Sequence, residues 1–107
     1  MNNQLQPTTL VIFGFSGDLV RRKLLPSLAE IAAAGSLPNK FKILGISRKS
    51  ISPEDVLLPS FSQLLSVTET MRMDVGRAKD YSILKAKLRQ MMSGDSAQYI
   101  FYLALPP

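Results

Sequence analysis

An alternation of short apolar runs with helical segments is the feature that most constrains how this chain folds. Runs at residues 10–13, 41–46, 68–73 and 98–105 predict four strands. The amphipathic segments between them predict three helical regions, which gives the order βαβαβαβ. Strands that alternate with helices form parallel sheets with right-handed crossovers. We therefore expect an α/β fold with a parallel sheet, in which the strands lie in the order 3-2-1-4 if they form the first part of a doubly wound sheet.

Prolines set the expected bounds of the helices. Pro26 lies inside the first helical pattern and predicts a kink or a restart. Ser52 and Pro53 suit the cap and the first position of a second helix, which Pro59 should keep short. The third helix is predicted over residues 77–92, from the regular spacing of its apolar side chains.

Two absences narrow the chemistry. The 107 residues include no Cys and no His, which excludes disulfides, thiolate metal sites and any imidazole base. The length fits one domain, residues 1–107. The N-terminus does not have the pattern of a signal peptide, and no apolar run reaches the roughly 20 residues of a membrane span. We therefore expect a cytoplasmic protein with no membrane partner.

The charge balance is basic, with 13 Lys and Arg residues against 8 Asp and Glu and a formal net charge of +5. Such a balance favours anionic partners in general and identifies none of them. The basic residues are scattered, and no aromatic residues interleave with them. The pattern therefore does not predict a nucleic-acid partner.

The first strand ends in a glycine turn that runs directly into a helix. Its residues are Gly14, Phe15, Ser16, Gly17, Asp18 and Leu19. Backbone N–H groups in such a turn can face a pyrophosphate, and Ser16 adds a hydroxyl donor. Two glycines at this spacing are a weak signal, because a simple strand-to-helix turn needs glycine as well. The position between an apolar strand and a helix favours nucleotide binding.

The second strand ends in Ser47-Arg48-Lys49. In dinucleotide-binding sheets this position meets the adenosine ribose, where an acid favours NAD and an Arg accommodates the 2′-phosphate of NADP. The next acid along the chain is Glu54, and Arg48 can form a bidentate pair with a phosphate. The pattern predicts NADP as the cofactor, with an ordinary surface arginine as the alternative.

The remaining strand ends and the first helix add candidates. Asp74 and Val75 follow the third strand, where an adenine ring would lie, although Asp74 is equally suited to capping the next helix. The fourth strand ends in Leu105, a cofactor-binding candidate, and two prolines. The prolyl pair could form a rigid wall beside the nicotinamide or could simply end the strand. Lys23 projects from the first helix, where a second anionic ligand could reach it.

In combination these motifs resemble a known family. Residues 14–19 and 22–28 contain the run Gly-Asp-Leu-x-x-Arg-Lys-Leu-x-Pro and are similar to the opening signature of glucose-6-phosphate dehydrogenases. Residues 43–48 resemble that family's second strand, and residues 73–75 and 100–107 resemble its third and fourth strand ends. The similarity covers nearly the whole chain and implies a Rossmann-like nucleotide-binding fold.

The resemblance also implies roles for individual residues. The turn at residues 14–19 would hold the pyrophosphate of NADP, Arg48 would bind the 2′-phosphate, and Asp74 and Val75 would border the adenosine. Lys23 would reach toward glucose 6-phosphate, the substrate. This family of oxidoreductases, in the pentose phosphate pathway, passes a hydride from C1 of that sugar to NADP+ and forms 6-phosphogluconolactone.

The chain departs from the family's pattern at several points. Phe15 replaces the small residue usual at its position, and its side chain would either point into the turn or pack away from it. The segment between Arg48 and Met73 is shorter than usual. The family's His base and substrate domain lie beyond the fourth strand, and this chain contains no His. We therefore expect the N-terminal segment of a longer, homo-oligomeric enzyme, inactive by itself.

Two further expectations concern function and assembly. The absence of His is compatible with an alternative function, a stand-alone and non-catalytic module for NADP sensing or interaction. The fourth strand has no outer neighbour in the predicted sheet. Its apolar edge, residues 99–105, therefore predicts self-association.

Overall fold

The computed structural model describes residues 6–91 and 98–104 and contains one parallel sheet. Its strands are β1 (Thr8–Phe13), β2 (Phe41–Ser47), β3 (Thr68–Arg72) and β4 (Gln98–Leu103). They lie in the order β3-β2-β1-β4, with β1 between β2 and β4. The predicted α/β fold and the predicted strand order are both confirmed.

The three described α-helices lie where the sequence predicted them. They are α1 (Leu25–Ala33), α2 (Pro53–Leu57) and α3 (Ala78–Met91). A π-helical turn, Val20–Leu24, precedes α1. The first turn is therefore a distinct element, as the sequence predicted. The backbone nevertheless stays helical from Asp18 to Ala33, with the π-helical turn directly before Pro26, which has no N–H to donate. None of the described helices is long and apolar enough to cross a bilayer.

Reciprocal hydrogen bonds begin α2. The Asp55 N–H donates to Ser52 Oγ at 3.3 Å, and the Ser52 N–H donates to Asp55 Oδ2 at 2.9 Å. This capping box satisfies donors that the first turn would otherwise leave without acceptors. The helix is short, as Pro59 predicted. A 3₁₀ segment, Ser62–Val67, which the sequence pattern did not predict, then leads into β3.

Two apolar layers cover the sheet. On one face α1, α2 and the 3₁₀ segment pack against alternate strand residues that include Ile12 and Ile43. On the other face α3 places Leu84 and Leu88 against residues that include Val11. Every residue of β1 is buried, since the strand has a neighbour on each side and an apolar layer on each face.

The opposite is true of β4, which forms one edge of the sheet. Among the described strands it pairs only with β1. Ile100, Phe101 and Leu103 are 46%, 54% and 70% exposed. An apolar groove of about 710 Å³ lies between β4 and α3. The predicted unpaired apolar edge is therefore present over the described part of residues 99–105.

Candidate functional site

A cavity of about 450 Å³ lies at the carboxyl ends of the strands. Its lining residues are Phe13, Gly14, Ser16, Gly17, Ile46, Ser47, Arg48, Lys49, Met73, Asp74, Val75 and Ala104. All four strand ends therefore contribute, as expected for a ligand site in an open parallel sheet. Residues predicted from three separate segments of the sequence meet here.

The glycine turn is held rigidly against β2. Gly14 adopts a positive φ of 82°, which a residue with a side chain rarely adopts. The N–H groups of Gly14 and Phe15 both donate to the Ile46 carbonyl at 3.0 Å. The Gly17 N–H donates to the Gly14 carbonyl at 2.9 Å, and a Cβ on Gly17 would lie 3.1 Å from that same oxygen. Both glycines are therefore needed for the turn to close.

Three other N–H groups of the glycine turn have no hydrogen bond to the backbone. Within the described residues, the N–H groups of Ser16, Asp18 and Leu19 donate to no backbone acceptor. Asp18 and Leu19 lie in the first turn of a helix, where no preceding helical carbonyl is available. The positive end of the helix dipole adds to the field of these donors. The turn can therefore bind an anion such as a phosphate.

Two cations lie where the chain leaves β2. Arg48 and Lys49 are exposed and line the cavity. The Lys49 N–H donates to the buried Ser47 Oγ at 3.1 Å, which fixes the path of the loop. Ser47 Oγ also lies 3.4 Å from Ser16 Oγ, which joins the loop to the glycine turn. The paired positive charges suit a phosphate group at this end of the cavity.

Asp74 and Val75 border the cavity on the β3 side. The Asp74 N–H donates to Asp80 Oδ2 at 3.0 Å, and Asp74 Oδ1 accepts from the Gly76 N–H at 2.9 Å. Asp74 therefore stabilises the turn that precedes α3, which itself begins at Ala78. Its predicted contact with the adenosine, and the alternative that it caps α3, both stay predictions. The Val75 carbonyl accepts from the Tyr81 hydroxyl at 3.0 Å, so this wall too is held by α3.

The side chain of Phe15 does not enter the cavity. It is fully buried in the apolar layer on the α1 face of the sheet. Of the two orientations that the sequence left open, the structure therefore has the one in which Phe15 packs away from the turn. The large side chain at position 15 therefore leaves the cavity clear.

Three other candidates lie apart from the cavity lining, and a fourth lies outside the described residues. Asp18 forms an exposed ion pair with Arg22, with Oδ2 and Nε 2.8 Å apart. Leu19 and Lys23 are exposed, and neither side chain lines the cavity. Leu105 lies outside the described residues. The roles predicted for these side chains remain predictions.

The sequence prediction missed some of the lining residues. Lys49 directly follows Arg48 and carries the same charge, so the pair as a whole was a usable signal. Ser47 lies two residues beyond Gly45 on the same face of β2, since side chains alternate along a strand. A polar residue at that phase, at the carboxyl end of a buried strand, points to the site. Met73 gave no such signal, because an apolar residue there equally fits the core.

Known proteins share both the sequence and the fold. A family model described as "Glucose-6-phosphate dehydrogenase, NAD binding domain" matches residues 11–107. Glucose-6-phosphate 1-dehydrogenase of Treponema pallidum (strain Nichols) is 32% identical over 94% of this chain and 23% of the relative. The Schizosaccharomyces pombe protein of the same name is 31% identical over 92% of this chain and 23% of the relative.

Solved structures extend the likeness. A glucose-6-phosphate dehydrogenase in complex with its substrate glucose-6-phosphate superposes with a TM-score of 0.82 at 28% identity, over 100% of this chain and 26% of that one. Glucose-6-phosphate 1-dehydrogenase from Mycobacterium avium has a TM-score of 0.75 at 25% identity, over 96% of this chain and 24% of that one. The chain thus spans about a quarter of the relatives it matches.

The match to the family model extends from the middle of β1 through β4, and it includes the glycine turn and the cations after β2. The chain therefore belongs to the family of NAD-binding domains of glucose-6-phosphate dehydrogenases.

Proposed function

We propose that this chain is the coenzyme-binding segment of an NADP-dependent glucose-6-phosphate dehydrogenase. The observation that carries the proposal is one cavity that joins a glycine turn with free N–H groups to the two cations after β2. In this assignment the turn binds the pyrophosphate. Arg48, assisted by Lys49, binds the 2′-phosphate. Val75 borders the adenosine.

The charges around the cavity favour NADP over NAD. An enzyme that prefers NAD places a carboxylate on the ribose 2′-OH, whereas here two cations follow β2 and Glu54 is the next acid. Among the described lining residues Asp74 is the one acid, and its Oδ1 already accepts from the Gly76 N–H. The pyrophosphate end also fits, because the N–H groups of Ser16, Asp18 and Leu19 donate to no backbone acceptor within the described residues.

The segment's share of the reaction is to bind and orient the coenzyme. When bound, NADP+ supplies the acceptor for the hydride that leaves C1 of glucose 6-phosphate. Lys23, exposed on the π-helical turn, is the side chain we assign to the sugar phosphate. Because the chain has no His, we expect it to bind coenzyme without turnover. The cytoplasm is the compartment that we propose.

Calorimetric titration with NADP+ and NAD+ tests this assignment. Arg48→Ala should weaken NADP+ binding about 10- to 100-fold, because a hydrogen-bonded charge pair contributes roughly 1.5–3 kcal/mol. Its NAD+ affinity should stay unchanged. Arg89→Ala, an exposed arginine on α3 away from the cavity, is the matched control and should change neither affinity. Equal losses for both coenzymes, or a wild-type chain that binds neither, would contradict the proposal.

We also propose that the isolated chain self-associates, with β4 of a second copy paired to the free edge of β4. The strand sequence, Gln98–Leu103, contains no charged residue that would discourage pairing. A two-fold axis normal to the sheet would pair β4 with its copy in antiparallel register. The same axis would bring the two apolar grooves beside α3 together on one face.

A further inference from the structure

The ring of Phe15 occupies a notch that Gly45 leaves in β2. Gly45 follows Ile43 on the strand face covered by α1 and α2, where every other residue points into that layer. A Cβ built on Gly45 would overlap Cγ and Cδ2 of the Phe15 ring and lie 2.8 Å from its Cε2. Phe15 is fully buried there. The ring and the notch therefore fit only if residue 45 has no side chain.

The glycine turn is attached to β2 at three successive residues. The Phe15 ring rests on Gly45, the N–H groups of Gly14 and Phe15 share the Ile46 carbonyl, and Ser16 Oγ lies 3.4 Å from Ser47 Oγ. Of these attachments the ring is the one buried in the core. The two backbone bonds are confined to a single acceptor, and the hydroxyl contact is long.

We propose that Phe15 is a positioning residue for the coenzyme and that Gly45 provides the space in which the Phe15 ring must pack. The Phe15 ring, packed against Gly45, holds the turn in one conformation. The N–H groups of Ser16, Asp18 and Leu19 then face the pyrophosphate, and the turn does not have to become ordered when the ligand binds. A ligand that meets donors already in place binds more tightly than one that must order them. This inference rests on the proposed function, since it assigns a cause to the affinity of the same site.

A pair of probes separates positioning from general support of the fold. NADP+ needs both the turn and Arg48, whereas adenosine 2′-monophosphate carries the 2′-phosphate without a pyrophosphate. Phe15→Ala should weaken NADP+ binding roughly tenfold or more, because small displacements of aligned groups are costly. Adenosine 2′-monophosphate should bind within twofold of wild type. Phe15→Leu should show a smaller loss in the same direction and covers the case in which Phe15→Ala does not fold.

Leu64→Ala is the matched control. Leu64 is buried in the same apolar layer, on the 3₁₀ segment away from the cavity. This variant should unfold at a lower denaturant concentration and still bind NADP+ as wild type does. An equal loss of NADP+ affinity in Leu64→Ala and Phe15→Ala would overturn the positioning role.

A double-mutant cycle tests the contact between the Phe15 ring and Gly45. Gly45→Ala should displace the ring, lower the unfolding midpoint and weaken NADP+ binding. In the Phe15→Ala background the same change should have little effect, because the methyl group then enters an empty notch. Equal effects in both backgrounds would contradict the inference while leaving the proposed function intact. A wild-type chain that fails to bind NADP+ would contradict the proposed function. In that case the unfolding midpoints of the double-mutant cycle would still measure the contact between Phe15 and Gly45.

Discussion

Two neighbouring strands of similar composition have opposite surroundings. β1 reads TTLVIF and is buried at every position, whereas β4 reads QYIFYL and is exposed at most of its length. The two strands pair in parallel, and the Phe13 and Phe101 rings stack with their centroids 6.4 Å apart. The difference lies in the neighbours. Among the described strands, β1 has a neighbour on each side, whereas β4 has a neighbour on one side only.

The contrast shows what an apolar run does and does not indicate. A continuous run predicts a strand whose faces are meant to be covered. It does not tell which segment, or which molecule, supplies the cover. The groove between β4 and α3 marks the uncovered surface. On its other side α3 is linked to β3 by an ion pair, in which Lys87 Nζ lies 2.6 Å from Glu69 Oε1.

The largest expected effect comes from one substitution made in both strands. Ile12→Ala should lower the free energy of unfolding by about 2–5 kcal/mol, because Ile12 is fully buried and its loss leaves a cavity. Ile100→Ala, at a residue 46% exposed, should lower it by about 1 kcal/mol or less. Urea unfolding at low micromolar chain concentration measures both. Equal losses would show that the β4 edge is covered in solution.

Self-association is the next test of the comparison. Light scattering should show a mass that rises with the concentration of the wild-type chain. Ile100→Lys should hold the chain as a monomer, because a charge at the strand edge opposes pairing. Ile31→Lys on α1 places the same charge at a residue of similar exposure, 40%, and should not prevent association. A wild-type monomer at high concentration would rule out pairing through β4.

The smallest expected effect concerns the tether of α3. Lys87→Gln should lower the free energy of unfolding by about 0.2–1 kcal/mol, since the ion pair with Glu69 is partly exposed. The effect should shrink as salt is added. Lys79→Gln, on an exposed residue of the same helix, serves as the control. A loss of several kcal/mol would mean that α3 depends on this one contact more than on Leu84 and Leu88.

Much of the site could be predicted because it depends on local pattern and on topology. The alternation of elements predicts a parallel sheet, and the order 3-2-1-4 follows if these strands are the first part of a doubly wound fold. The strand order brings Gly14, Arg48 and Asp74 to one edge of the sheet, since parallel strands end on the same side. The change from π-helical to α-helical backbone beside Pro26 is equally local, because proline removes one N–H donor from the helical ladder. These conclusions needed no knowledge of which side chains touch.

Other features depend on contacts that a linear pattern does not contain. The direction of Phe15 follows from a notch 30 residues away, at Gly45, and glycine within a strand has several possible causes. Lys23 belongs to the motif and yet lies outside the cavity lining. The sequence alone determined the α/β class and the edge at which the site forms, through periodicity and chain connectivity. It also predicted the strand order and the unpaired edge of β4, once the strands were taken as the first part of a doubly wound sheet. Only the tertiary structure decided which side chains enter the cavity and that Phe15 packs against Gly45, because both depend on packing between segments distant along the chain.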